Sequence, residues 1–105
     1  MGSKYINEVL AKYNIGVSYF AKLIGIHPIT VTKFLNNSCE TRAEKVRMIE
    51  AGTKALVKYD QRAPRWDYNK NVVWQEWYRD EYYREVFEFE SEFKKLFTEI
   101  LEGDK

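Results

Sequence analysis

The residues whose types most often carry chemistry are sparse here. His27 and Cys39 are the only imidazole and the only thiol in the 105 residues, and one of each cannot make a zinc site with the usual ligand number and spacing. The carboxylates Glu85, Glu88, Glu92 and Glu99 follow one another at helical intervals. That is the pattern of a solvated helix face and not of paired acid–base groups. There is no glycine-rich phosphate loop and no nucleophile motif. The residues therefore argue against an enzyme and call for no metal or cofactor. What remains is recognition through charge. Residues 1–65 hold eleven Lys/Arg against five Asp/Glu, a net of +6, while residues 66–105 hold six against eleven, a net of −5. A basic front half suits a polyanion, which an acidic rear half would repel.

The elements that must position those charges are helical. Over residues 4–14, Tyr5 or Ile6, Val9, Leu10 and Tyr13 recur at three-to-four spacing, the mark of a short amphipathic helix. A second helix over 17–24 turns Phe20, Ala21 and Ile24 to one side and closes at Gly25. Pro28 suits a first helical position, where its missing N–H is no loss. The helix it opens runs to about Asn36 with Val31, Phe34 and Leu35 inward, and Asn36-Asn37-Ser38 is turn chemistry. Thr41-Arg42-Ala43-Glu44 has the form of a capping box, opening a helix anchored by Val46, Ile49, Leu56 and Val57. Gly52 within it predicts a kink or a frayed turn.

Residues 17–37 fit a helix-turn-helix, in which two short helices cross through a tight turn. Ala21 is the small contact residue and Gly25, four later, takes the turn. Phe20, Ile24, Ile26, Val31 and Phe34 fill the inward positions. The stretch from Ala21 to Ile26 and from Thr30 to Asn36 resembles the helix-turn-helix of lambda-repressor/Cro-type regulators, over roughly residues 4–60. The resemblance implies a small four-helix DNA-binding domain whose second motif helix lies in the major groove. Carried onto this sequence, the base-facing residues are His27, Pro28, Ile29, Thr32 and Lys33. Lys33 would donate to guanine and Ile29 would offer an apolar surface to a thymine methyl. Ser18, Tyr19, Thr30, Asn36, Asn37 and Arg42 are the implied phosphate contacts. His27 stands where Ser or Asn would be the stronger helix cap.

Behind this domain (1–60) and a basic linker (61–71), residues 72–105 read as one long, amphipathic, aromatic-rich helix, so the fold expected is all-α. Trp74, Tyr78, Tyr82, Val86, Phe89, Phe93, Leu96, Phe97 and Ile100 form a continuous stripe. Such a helix overhangs a domain of this size, and a second copy is the simplest cover, so the stripe predicts a homodimer and a front half that folds without it. Two other fates remain open for it: folding back as a lid, with a break near residues 79–81, or recruiting another regulatory protein. The function expected is a DNA-binding transcriptional regulator of the phage or mobile-element repressor type. The alternative is a protein-interaction module, such as an antitoxin or adaptor, built on the same fold. The lone Cys39 fits a reducing cytoplasm, and no apolar run or leader pattern argues for a membrane or for export.

Overall fold

A computed structural model describes residues 2–37, 40–65 and 75–103, with the side chains of the last segment from Arg79 onward. Among these, five α-helices and no strands are found: α1 (Ser3–Lys12), α2 (Val17–Ile24), α3 (Pro28–Leu35), α4 (Ala43–Tyr59) and α5 (Gln75–Gly103). Each of the first three buries the residues its spacing marks. Ile6, Val9 and Leu10 turn inward from α1, Phe20, Ala21 and Ile24 from α2, and Val31 and Leu35 from α3. Phe34 is only half-buried.

Local chemistry sets the helix ends. α1 stops at Asn14, whose φ of 59° lies in the left-handed region that Asn tolerates better than most residues. α2 stops at Gly25 (φ 75°), where the Gly25 amide donates to the Lys22 carbonyl and the Ile26 amide to the Ala21 carbonyl. That pair of bonds is a Schellman turn, and its left-handed residue is the one place in the motif that needs glycine. α4 runs through Gly52 without the expected break. A Cβ there would stand 2.6 Å from Ile24 Cγ2 and 3.0 Å from the Phe20 ring, so this glycine lets α2 lie close on α4. Thr53, fully buried beside it, satisfies its hydroxyl on the Ile49 carbonyl at 2.9 Å. Val57, expected as an anchor of α4, is instead exposed.

The first residues of the expected linker are fastened down. The Ala63 amide donates to the Tyr13 carbonyl at 2.8 Å, Asn14 Nδ2 to the Ala63 carbonyl at 3.3 Å, and the Tyr13 hydroxyl to Asp60 Oδ1 at 2.6 Å. Asp60 ends α4 in the left-handed conformation. The chain after α4 is thus clasped to the α1–α2 junction. Cys39, Trp66, Tyr68 and Trp74 lie outside the described residues, as do the side chains of Trp77 and Tyr78.

α5 overturns the expected use of the aromatic stripe. It is unbroken through residues 79–81 and lies against both α4 and α2. Phe89, Phe93 and Phe97 are buried in the same core as Ile6, Phe20 and Leu56, with Leu96 and Ile100 half-buried against it. Phe93 and Phe97 stack with ring centres 5.8 Å apart, and Phe89 meets Tyr59 at 5.5 Å. These side chains are therefore not a free face for a second copy. The groove between α2 and α4 is on the same chain, at an effective concentration no separate molecule matches. It follows that residues 1–65 do not hold a complete core.

Two pairs of contacts give the direction of α5. Phe89 is beside Tyr59 and the Leu101 carbonyl accepts from Arg47 at 2.6 Å, so α5 runs antiparallel to α4. Glu90 is beside Tyr19 while Lys94 and Phe97 line a groove with Lys22 and Ile24, so it runs parallel to α2. Twenty-nine residues at ~1.5 Å each exceed the length of either neighbour. Residues 75–88 consequently project past the end of α4 at Tyr59, and Tyr82 and Val86 on them are half-buried.

Candidate nucleic-acid interface

The α2–Gly25–α3 turn holds α3 with Val31 and Leu35 inward and its other side to solvent. On that outer side Ile29 is 57 % exposed, His27, Thr32 and Lys33 are exposed, and Pro28 and Thr30 are half-buried. The isoleucine exposed between His27 and Lys33 is thus outside the core. His27 is a better cap than its residue type promised: its Nδ1 accepts from the Ile29 amide at 3.2 Å. A ring that accepts at Nδ1 carries its hydrogen at Nε2 when neutral, so His27 offers a donor outward at the leading edge of α3.

Beside this face opens a cleft of about 330 Å³ lined by Thr30, Lys33, Glu40, Thr41, Arg42 and Lys45. Three cations and two hydroxyls meet one carboxylate there. The cleft sits at the start of α4, where the expected capping box does not form. Arg42 and not Thr41 occupies the N-cap, and its side chain makes no capping bond. With this one-residue shift Thr41 stands in the cleft wall, and the first-turn amides lack the expected threonine cap, an arrangement that favours an anion. Lys45 is the residue the sequence reading missed. It lies three after Arg42, the helical interval that puts two side chains on one face, so the signal was present.

Of the other implied phosphate contacts, Ser18, Asn36, Asn37 and Arg42 are exposed, Ser18 in the first turn of α2. Tyr19 is not available in the same way. Its hydroxyl donates to Glu90 Oε1 at 2.8 Å, and burial, followed by that bond, pushes its ionisation well above the ordinary phenol range. Tyr19 faces α5, tying the motif to the C-terminal helix. Sequence periodicity in α2 could not reveal this, because the partner lies 71 residues away.

Among the described residues no group of three or more His, Cys, Asp or Glu is placed to hold a metal ion, and no helix is long and apolar enough to cross a membrane. No family model matches the chain, and neither a curated protein nor a solved structure matches it.

Proposed function

We propose that this chain binds duplex DNA through α3 and acts as a transcriptional regulator similar to the lambda-repressor/Cro type. One observation carries the reading: the exposed outer face of α3, with its apolar Ile29 and its donors His27, Thr32 and Lys33, adjoins a cleft where Lys33, Arg42 and Lys45 converge. An α-helix fits the major groove, where side chains meet base edges, while a neighbouring cationic notch grips the backbone. The +6 charge of residues 1–65 supports the same partner. Regulators that place a helix this way commonly pair, so that two such helices read half-sites about 34 Å apart, and pairing of two copies belongs to the reading.

Selection of bound duplexes from a random pool, followed by titration at several salt concentrations, tests it. Lys33→Ala is expected to change the sequences selected, and Arg42→Ala and Lys45→Ala to weaken all duplexes about equally. Each phosphate contact adds about 0.9 to the log–log salt slope, so several cations in and around the cleft predict a steep dependence. A slope below about 2, with no sequence enriched, would overturn DNA as the partner and leave a protein-contact module.

A further inference from the structure

Among the described residues the exposed large apolar side chains are Tyr5, Ile29, Val57, Tyr83 and Phe87. Ile29 belongs to the α3 face. The other four fall into two pairs at separate places. Tyr5 and Val57 line one depression between α1 and α4, with Glu8 and Lys12 on its rim. Tyr83 (61 % exposed) and Phe87 (71 % exposed) are four residues apart on the projecting part of α5 and so share one helix face. The charges divide in the same way. α1 together with residues 51–59 carries Lys4, Lys12, Lys54 and Lys58 against Glu8, a net of +3. Residues 75–88 carry Arg79 and Arg84 against Glu76, Asp80, Glu81, Glu85 and Glu88, a net of −3.

From this we infer that the projecting part of α5 docks on the α1–α4 depression of a second copy, seating Phe87 against Tyr5 and Val57. The match is of shape class and of sign: an acidic helix with an aromatic ridge meets an apolar-floored depression, with one Lys and one Glu on its rim, in a part of the chain that carries net +3. Among the described residues no element covers this ridge: α5 is one unbroken helix that passes Tyr59 at Phe89, and Phe87 is the most exposed large apolar residue of the described chain. Pairing of one projecting helix against another would bring net −3 against net −3, whereas pairing against the body brings −3 against +3. One such contact is small beside the ~1,200 Å² of the smallest stable interfaces. A two-fold axis makes it occur twice, each copy giving a helix and receiving one. This extends the pairing named above but depends on nothing that α3 reads.

Sedimentation equilibrium of the full chain without DNA tests it. The unaltered chain is expected to dimerise, more weakly at high salt because the contact is charge-matched. Phe87→Glu and Val57→Glu should each weaken the dimer roughly tenfold or more. Both sites are exposed, so an unchanged helical circular dichroism spectrum is expected of both. Mixing the two variants should regain association, because the intact helix of the Val57→Glu chain fits the intact body of the Phe87→Glu chain. Lys12→Glu, also exposed, should weaken the dimer independently of any change in α4, and Glu88→Lys on the same chain should recover part of the loss. A Val57→Glu or Lys12→Glu chain that dimerises as tightly as the unaltered one overturns the proposal in favour of α5 against α5. An unaltered chain that stays monomeric at the highest concentrations overturns pairing through this surface altogether.

Discussion

The two parts of α5 share one backbone and one helical spacing of apolar residues, and they meet opposite fates. From Phe89 onward every third or fourth residue enters the groove between α2 and α4, where Phe89, Phe93 and Phe97 are buried. Before Phe89 the same helix runs past the end of α4, and there Tyr82 and Val86 are only half-buried while Tyr83 and Phe87 stand in solvent. Nothing in the spacing separates them. The difference comes from the length of the partner elements: α2 begins at Val17 and α4 ends at Tyr59, so the seat for α5 ends there too. Apolar periodicity thus reports that a face will be covered, while topology decides by which chain.

The most severe way to break this comparison is to remove the seated part. A chain ending at Arg65 loses three fully packed phenylalanines, each contributing roughly 1.5–3 kcal/mol by burial, against a total stability of about 5–15 kcal/mol for a domain. It is expected to lose cooperative unfolding in urea. Phe93→Ala in the full chain is the sharper form and should cost about 3–5 kcal/mol. Phe87→Ala, measured at concentrations where the chain is monomeric, should cost within about 0.5 kcal/mol. Equal costs at Phe93 and Phe87 would mean that the two parts of α5 are not distinguished as described.

The motif was legible because its determinants are local. Gly25 is required by a positive φ, Pro28 by the first helical position, and Phe20, Ile24, Ile26 and Val31 by a fixed spacing, and each is found as expected. Four features were not legible, all for want of a distant or fine-grained fact. The cover of the stripe depends on a groove formed by α2 and α4. Tyr19 takes its role from Glu90. The place of Thr41 in the wall of the cationic cleft, and not at the helix cap, turns on whether α4 starts after Thr41 or after Arg42. Gly52, read as a weak point, is a contact point whose partners are Ile24 and Phe20.

Gly52 offers the next test, because it sets the width of the seat. Alanine has the higher helix propensity by about 1 kcal/mol, and an exposed glycine in α4 would gain by the exchange. Here the added methyl meets Ile24 Cγ2, the methyl of a β-branched side chain with little freedom to withdraw. Gly52→Ala is expected to be destabilising by about 1–3 kcal/mol as overpacking, with α2 pushed away from α4. Protection of amide hydrogens in the seated part of α5 should fall with it, while that of residues 75–88 stays as it was. A stabilised Gly52→Ala chain would show that α2 and α4 have room between them.

A smaller effect than at Gly52 is expected at Tyr19, where the seated part of α5 gives way to the projecting part. Its hydroxyl donates to Glu90 across the α2–α5 boundary, a charge-assisted bond at a half-buried site, so Tyr19→Phe should cost about 1 kcal/mol at neutral pH. The pH dependence gives the finer reading. Desolvation first, and the Glu90 bond second, hold the folded-state ionisation of Tyr19 above its ordinary value of 10.0. A group raised on folding contributes stability that is complete below the unfolded value and is lost as pH rises from there through the folded value. Stability should therefore decline above about pH 10, where the unfolded chain gives up the phenolic proton and the folded chain must keep it. Tyr13, raised chiefly by its bond to Asp60, and Tyr59, raised by burial, contribute in the same direction, so the decline is shared among three sites. Tyr19→Phe should make it shallower without abolishing it. An alkaline decline of unchanged steepness in the variant would mean that Tyr19 is as free to ionise in the folded chain as in the unfolded one, and that the boundary between the two parts of α5 is not pinned by Glu90.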